Sequence, residues 1–565
     1  MFGLSMYLRS NGKSCKRYQM TYFSKNRLAL ALSLSLIGGT AWAQESGLGL
    51  PSTALLPDEP ITVEPGEATR DSRPVNDGVT GTEIGTANAQ AAGLVGAQLT
   101  GLPETMWQGT PASNAIAAVD SAQPSNLWRV NALIRRALVS GAIPPEDADG
   151  LLARRAAALL RFGAAEEAAS LAGVAGSAAN PELRRVGAEA DLIIGRGDTI
   201  CKSSAVLPDN LPKEDPDGFW TSLRGFCLAK SGDPLAAVAI AAMREVGGVD
   251  PVDAELLEAM VDEGLAEFIP TPEGANLTPL RIAILRALGR PVGELVETAP
   301  LNMLAGLFAL ESTPARSAVI AAERLEAAGS ISTNELIELY VLHADTLGDD
   351  AVGARAQSVR DAIKSNDAAS IGNFLLKTAE VQGAEAFTRM ARAFAPLAAD
   401  LPTEDASGLG AAGYAIRDSL LLDGRIRAAG RWSDAQGPRS LLDTADTNAL
   451  FAIADASWPG IWQRDWGDAL RGRARDGDEN ARRALGALAG FEVGPAPTLA
   501  NEGYLAFARD GRIAEALFAA SKAMRDENPA SARTLDTMIR ALRAANLDAD
   551  ARAIAIEAML RARWQ

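Results

Sequence analysis

The distribution of helix-forming residues is the feature that most constrains the fold of this 565-residue chain. From about Ser125 to the last residue, Ala, Leu and Arg dominate, β-branched runs are scarce, and turn signals recur at intervals of roughly 15 to 25 residues. No stretch shows the alternation of apolar residues that indicates a β-hairpin or a β-α-β unit. The sequence therefore predicts an all-α domain over residues 106–565, with roughly 20 helices of typical length.

Several helix starts in this region carry a local signal. A residue with a capping side chain directly precedes Pro, so its oxygen can accept the first free N–H groups while Pro fits the first helical position. Ser332 and Glu335 have the spacing of a capping box. The other capping pairs are Asn180-Pro181, Asp233-Pro234, Asp250-Pro251, Thr278-Pro279, Thr313-Pro314 and Asn528-Pro529.

The predicted helices come in pairs that share a short turn containing Gly. The tetrapeptide Asp-Gly-Arg-Ile occurs at 423–426 and again at 510–513, each time after a helix that carries a Tyr. Gly at such a turn supplies the left-handed conformation that ends a helix. Residues 151–176 and 219–243 repeat this plan of helix, turn and helix.

These pairs resemble the tetratricopeptide-like repeats. In residues 503–516 an aromatic residue precedes the Gly turn and small residues follow it, as in that family. The resemblance implies a right-handed α-solenoid of irregular helical hairpins, with a groove that binds a peptide or a protein. It implies no catalytic residue and no cofactor.

The first 43 residues have the composition of a secretory signal. Two basic residues precede a short apolar run over residues 28–37, and the small residues at 41 and 43 fit a cleavage site. The run is shorter than the roughly 20 residues that span a bilayer. We therefore expect a cleaved signal peptide over residues 1–43, with Met20 as a possible true start, and no integral membrane segment after cleavage. This predicts a periplasmic or secreted bacterial protein.

Residues 44–105 have a different composition from the rest of the chain. They are poor in large apolar side chains and rich in Gly, Pro, Thr and acidic residues. Such a segment cannot bury enough apolar surface to offset the entropy lost on ordering. We expect a disordered linker over this range.

The charge balance argues against a nucleic-acid partner. The first 43 residues hold six of the 54 basic residues and no acidic residue, so the mature chain would carry 48 basic and 71 acidic residues, a formal charge of −23. So acidic a chain repels polyanions unless it has a concentrated basic patch, and the sequence has none.

Two cysteines remain after the predicted cleavage, Cys201 and Cys227. An even number of cysteines in an exported protein indicates a disulfide. A redox-active or metal-binding pair would require closer spacing and His residues nearby. We predict a structural disulfide that contributes roughly 3 to 4 kcal/mol.

Known catalytic and ligand-binding motifs are absent or incomplete. The chain has one His, His343, whereas His-dependent triads and zinc sites need this residue or several. Gly408, Gly410 and Gly413 match a dinucleotide fingerprint in spacing, but a helix-start signal precedes them instead of a strand. The acidic run at 476–480 lacks the later ligands of a calcium loop, so we interpret it as a helix cap. We predict no catalytic residue, no cofactor and no metal site.

Trp458, Trp462 and Trp466 recur at every fourth position, and Trp432 lies upstream. Residues at this spacing share one helix face. Such a face is most often part of a core. If it is exposed, it could instead stack on sugar rings or anchor a partner peptide, so these four residues are the candidate partner-binding residues.

Taken together, these features predict a non-enzymatic exported scaffold or adaptor that binds a protein or peptide partner in the bacterial cell envelope. The alternative is a module that binds or processes cell-wall glycan through the Trp face, with a hidden carboxylate as the catalytic group. A purely structural solenoid that spaces other envelope components is a third possibility. The sequence leaves the identity of the partner and the oligomeric state open.

Overall fold

The structure, a computed structural model, describes most of the chain from Ala89 onward. The predicted signal peptide and residues 44–88 of the predicted linker lie outside the described part. The described residues are 89–176, 179–202, 215, 217–246, 249–266, 271–310, 312–404, 406–437, 441–455, 457, 464–492, 503–527 and 530–565.

The described residues form helices joined by short connections, with no β-strand among them. This confirms the predicted all-α class. The helices of the first half are α1 (Ala97–Thr100), α2 (Ala112–Asp120), α3 (Trp128–Val139), α4 (Leu151–Arg161), α5 (Ala165–Val174), α6 (Pro181–Ile193), α7 (Gly197–Lys202), α8 (Phe219–Ser231), α9 (Ala236–Val246), α10 (Pro251–Val261), α11 (Glu263–Ala266), α12 (Pro279–Ala287), α13 (Leu295–Thr298) and α14 (Leu301–Phe308).

The second half continues in the same way, with one long helix that is interrupted at Gly383, where φ is 82°. Its helices are α15 (Ala315–Ala327), α16 (Thr333–His343), α17 (Ala351–Ser365), α18 (Ala368–Ala399), α19 (Ala411–Leu422), α20 (Ile426–Gln436), α21 (Leu441–Ala454), α22 (Arg464–Arg475), α23 (Glu479–Gly490), α24 (Gly503–Arg509), α25 (Ile513–Asp526), α26 (Ala532–Ala544) and α27 (Asp548–Arg563).

Local capping fixes many helix starts as the sequence predicts. The side chains of Asn180, Asp250 and Thr278 each accept a backbone N–H from the first turn of the following helix. Ser332 and Glu335 form both hydrogen bonds of a capping box at the start of α16. At Thr313 the prediction is one residue off, because Pro314 itself occupies the capping position of α15.

The two Asp-Gly-Arg-Ile turns have the same conformation. Gly424 joins α19 to α20 with φ 77°, and Gly511 joins α24 to α25 with φ 79°. The Arg that follows each Gly has φ and ψ within 3° of its counterpart. Both are therefore tight helical hairpins in which Gly takes the left-handed conformation, as predicted.

The apolar side chains fall into one large core and a smaller second core. The large core extends from Leu102 to Leu560. The second core is formed by α6, α7, α8, α9, α10 and α12, and its centre contains Trp220, Phe226 and Ile284. The segment from α6 to α12 therefore has an apolar interior of its own.

The first described helices contact the last ones. The helix α3 packs against α25 and α27, and α2 packs against α25. In an open repeat array each repeat contacts only its neighbours in sequence. These long-range contacts therefore add to the contacts between successive hairpins and tie residues near 130 to residues near 550.

Arginine side chains link many of these helices. Only nine of the 54 basic residues are Lys. A guanidinium group offers five N–H donors, and the last turn of a helix carries free carbonyls and a partial negative charge. Such contacts are made by Arg161 on Val119 and Ala122, Arg286 on Leu192 and Ile193, Arg324 on Val296 and Ala299, and Arg543 on Gly490.

Packing contacts among the described residues already occur before residue 105, the predicted end of the linker. Leu102 is wholly buried, and Val95 forms a β-bridge with Ser140. The guanidinium of Arg155 donates to the carbonyls of Ala92, Leu138 and Ser140 at 2.8, 2.9 and 2.5 Å. The composition of this segment did not reveal its packing because its partner, Arg155, lies some 60 residues further along the chain.

Candidate functional site

The described members of the predicted Trp set are buried in the large core. Trp432 in α20 has 1% of its surface exposed, and Trp466 in α22 has 6%. Trp458 and Trp462 lie outside the described residues. Neither Trp432 nor Trp466 presents an indole face to a partner, and both contribute to the packing of their helices.

Cys201 and Cys227 form the predicted disulfide, with their Cα atoms 5.3 Å apart. Cys201 lies near the end of α7 and Cys227 lies within α8. Both pack against the second core, which includes Trp220 and Phe226. The bond therefore joins two helices of this core that are separated in the chain by residues 203–218, of which 203–214 and 216 are not among those described.

A buried group of charged side chains occupies the place where the start of α3 meets α15, α18 and α27. We call Trp128, Glu326, Arg389, Arg392 and Glu557 the junction cluster. Two carboxylates and two guanidinium groups are thus largely removed from water in one place. Such groups are tolerated in a core only if they are paired and hydrogen-bonded.

Glu326, in the last turn of α15, accepts three hydrogen bonds. The donors are the Thr333 hydroxyl at 2.7 Å, Arg392 Nη2 at 2.7 Å and Arg389 Nε at 2.9 Å. Burial raises the pKa of the Glu326 carboxyl, but Arg392 and Arg389 outweigh this and hold the pKa below its ordinary value. Glu326 is therefore a carboxylate at neutral pH, which makes it unsuited to act as a general acid.

Glu557 caps α3 from a different helix. Its carboxylate accepts the backbone N–H groups of Trp128 and Arg129 at 2.9 and 2.8 Å, and Arg392 Nη1 lies 3.3 Å from it. Leu127, which precedes α3, has no side chain that could cap the helix. A carboxylate at a helix N-terminus satisfies free N–H groups and complements the helix dipole.

The aromatic ring of Trp128 completes the cluster. The guanidinium carbon of Arg392 lies 4.7 Å from the ring centroid, within the range of a cation–π contact. The cluster lines a cavity of about 40 Å³. That volume suits one or two water molecules, whereas pockets for organic ligands usually measure roughly 300 Å³ or more. The geometry of the junction cluster therefore indicates a structural role, in which its hydrogen bonds and ion pairs hold α3, α15, α18 and α27 together.

A second feature, on the surface, is the outer side of α9. Leu235 and Val238 have 65% and 67% of their surface exposed, and Ala241 and Ala242 are exposed beside them. We call these four residues the α9 surface. The helix packs mainly on α8 and α10, where Ile240 enters the second core. Large apolar residues that are exposed together on one helix side mark a site of interaction more often than singly exposed ones.

Acidic residues outnumber basic ones in the part of the chain that contains the α9 surface. Between Lys230 and Ala266 the chain has eight acidic and only two basic residues. One of the two basic residues, Arg244, is paired with Glu258 of α10 at 3.1 Å. Asp250 and Asp253 are both paired with Arg281 of α12. The excess of negative charge in this segment is therefore carried by the other acidic residues.

No feature of the sequence by itself distinguishes the α9 surface from a buried helix face. An apolar stretch of this length predicts a buried helix as readily as an exposed one. The feature that could have revealed this surface is the composition of residues 234–243, which include no polar side chain. A helix that is apolar all round requires burial on every side, and the structure gives α9 two principal neighbours.

The remaining motifs have local structural roles. Asp478 caps α23 by accepting the N–H of Ala481 at 3.0 Å, which confirms the cap interpretation of the acidic run. Gly410 caps α19, where Gly413 lies close to the side chain of Gln436. His343 is half-buried at the end of α16, and burial lowers its pKa.

The described residues show neither a metal-binding cluster nor a membrane-spanning helix. They contain no group of three or more His, Cys, Asp or Glu side chains placed to hold a metal ion. Within the same part of the chain, every helix is too short or too polar to span a bilayer.

Comparisons with protein-family models, with curated proteins and with solved structures found no significant match.

Proposed function

We propose that this chain is a non-enzymatic exported helical-repeat protein that binds a protein or peptide partner in the bacterial cell envelope. The observation that carries the proposal is the α9 surface. Leu235, in the turn that leads into α9, and Val238, within α9, are both two-thirds exposed, and α9 belongs to the second core, which contains the disulfide. Exposed apolar residues on a braced helix form the kind of centre around which protein interfaces are built.

The arrangement of the buried charges supports a binding role over a catalytic one. A catalytic carboxylate must reach a substrate, often with a pKa shifted towards neutrality. Glu326 and Glu557 are instead engaged by arginines and by backbone N–H groups around a cavity of about 40 Å³. They stabilise the contact between distant helices and leave no room for a sugar ring.

The proposed location rests on the signal-like N-terminus and on the disulfide. Disulfides form and persist in the periplasm and outside the cell, and are rare in the bacterial cytosol. We test export by fractionating cells and sequencing the N-terminus of the mature protein. A mature chain that begins at Gln44 supports the proposal, whereas an uncleaved chain in the cytosol contradicts it.

The right-handed solenoid implied by the tetratricopeptide-like resemblance also remains a proposal. Successive hairpins such as α4–α5 and α24–α25 support it. The contacts of α3 with α25 and α27 mean that such an array would have its two ends joined. A solution structure that shows no consistent rotation between successive hairpins would contradict it.

Binding is tested by photo-cross-linking in the cells that make the protein. A photoreactive residue replaces Val238 in one variant and Val381 in the control, because Val381 is equally exposed but lies on α18. We expect one reproducible protein adduct from position 238 and none from position 381. Adducts at neither position, or the same adducts at both, would contradict the proposal. Retention on purified cell wall without a protein adduct would favour the glycan-binding alternative.

A further inference from the structure

We infer that the partner segment recognised by the α9 surface is an amphipathic helix with an apolar face and basic residues along its borders. This inference rests on the proposed function and adds the chemistry of the partner. Two independent properties of the surface support it, namely the spacing of its apolar residues and the sign of the charge around them.

The spacing fits a helical partner. Leu235 directly precedes α9, and Val238 and Ala242 lie within it. The three residues follow one another at intervals of three and four positions, so they form a strip that starts at the turn before α9 and continues along one side of the helix. The strip covers about two helical turns, or about 10 Å. Ala241 and Ala242 are small, so a second helix can approach the backbone of α9 closely at that end. A helix that presents apolar residues at the same spacing would pack along this strip.

The charge selects a basic partner. Glu245 lies on α9 beside the strip, and Asp262 lies at the end of α10; both are exposed. Glu255 of α10 is half-buried, Glu258 is already paired with Arg244, and Asp250 and Asp253 are paired with Arg281. A partner with Lys or Arg at its borders would offset the local excess of carboxylates, whereas an acidic partner would be repelled.

The same charge argues against the other classes of partner. Anionic lipid surfaces and nucleic acids are polyanions, so the acidic region around α9 would repel both. A narrow strip of this kind also offers much less apolar surface than a helix that inserts into a membrane interface. The observations therefore favour a basic protein segment over a lipid bilayer.

The direct test is peptide binding to the complete mature protein with its disulfide intact. The probe is a synthetic helix of about 18 residues that places Leu along one face and Lys at its borders. Two control peptides have the same length: one carries Glu in place of Lys, and the other has the Lys and Leu residues in scrambled order. We expect the basic helix to bind with a Kd on the order of 10 μM, and neither control to bind at the same concentration.

Variants then locate the binding surface. The double substitution Leu235→Ser and Val238→Ser should weaken binding of the basic helix about tenfold or more, because it removes the apolar centre. Val381→Ser, at an equally exposed position of α18, should leave binding unchanged. Circular dichroism should show the same helix content in both, since the altered side chains lie largely in solvent.

The acidic border is tested separately. Glu245→Gln combined with Asp262→Asn should weaken binding about threefold and reduce its dependence on salt, because border charges act through a screened field. Equal binding of the Glu-containing helix, or binding that the Leu235→Ser and Val238→Ser pair leaves unchanged, would overturn the inference. Binding of the mature protein to anionic vesicles through these same residues would overturn it in favour of a membrane.

Failure of this inference is distinct from failure of the proposed function. If the cross-link from position 238 captures a protein whose contact segment is not basic, the partner chemistry is wrong and the binding function stands. If position 238 gives no adduct in cells, the proposed binding function is contradicted, even if the synthetic basic helix binds the purified protein.

Discussion

The carboxylate of Glu557 accepts the backbone N–H of Trp128 at 2.9 Å, although the two residues are 429 positions apart in the chain. The same carboxylate lies 3.3 Å from Arg392, which also binds Glu326. One side chain of the last helix therefore caps one of the first helices and joins it to the middle of the chain. This contact explains how the large core includes residues from both ends of the described region.

Replacing Glu557 by Ala should destabilise the protein by about 3 to 5 kcal/mol, because it leaves Arg392 with one carboxylate and α3 without its cap. Glu557→Gln keeps an oxygen that can accept a backbone N–H group of α3, so it should lower the free energy of unfolding by less than Glu557→Ala. Glu338→Ala, at an exposed position of α16, is the control and should change the free energy of unfolding by no more than about 0.5 kcal/mol. Urea unfolding measures all three. Equal losses for Glu557→Ala and Glu338→Ala would show that the junction cluster does not stabilise the fold.

Because Glu326 is ionised in the folded protein, its contribution to the free energy of unfolding should decrease as the pH falls. Burial raises the pKa of Glu326, but Arg392 and Arg389 more than compensate, so the folded chain binds this proton more weakly than the unfolded chain. The stabilisation is complete above the ordinary Glu pKa of about 4.3 and is lost as the pH falls through the lower pKa of the folded state. The stability advantage of the native protein over Glu326→Gln should therefore shrink progressively as the pH falls below about 5. Urea unfolding at several pH values checks this, and a constant difference would contradict it.

Two adjacent arginines of α4 provide a matched comparison. The Arg155 side chain is 1% exposed and donates to three backbone carbonyls, whereas the Arg154 side chain is 43% exposed and forms surface ion pairs with Asp120 and Glu182. Burial lowers the pKa of Arg155 to about 10, so it remains charged at neutral pH. Arg155→Ala should lower the free energy of unfolding by about 3 kcal/mol or more, and Arg154→Ala should lower it by at most about 1 kcal/mol.

The part of the chain that loses its packing in the Arg155→Ala variant can also be identified. Without Arg155, residues near Ala92 lose the donor that holds their backbone against α3 and α4. Limited proteolysis of the Arg155→Ala variant should cut between residues 89 and 102 at a protease concentration that leaves these same peptide bonds uncut in the Arg154→Ala variant. Identical digestion patterns would show that other contacts order this segment.

Local signals were the part of the fold that the sequence could predict. The caps at Asn180, Asp250 and Thr278 involve residues two or three positions apart, so the necessary chemistry is present in a short stretch. The paired Asp-Gly-Arg-Ile turns are equally local. The disulfide was also predictable, because the chain offers only one pairing between residues 44 and 565.

The candidate sites could not be predicted in the same way. The spacing of Trp466 and its neighbours marks a helix face, but the same spacing occurs in cores and on surfaces. The partners of Arg155 and Glu557 lie far away in the sequence, and no local pattern distinguishes them from the many other charged residues. Exposure of the α9 surface depends on which helices pack beside it, which only the three-dimensional arrangement determines.

The disulfide should stabilise the second core more than the large core, because Cys201 and Cys227 both pack against the former. Replacing both cysteines by Ser should lower the free energy of unfolding by about 3 kcal/mol. Hydrogen exchange should speed up most in α7, α8 and α9, since α9 packs on the helix that contains Cys227. Reduction of the native protein should reproduce this pattern and serves as the control. If exchange speeds up equally in α26, the two cores unfold as one unit, and the disulfide does not brace the α9 surface selectively.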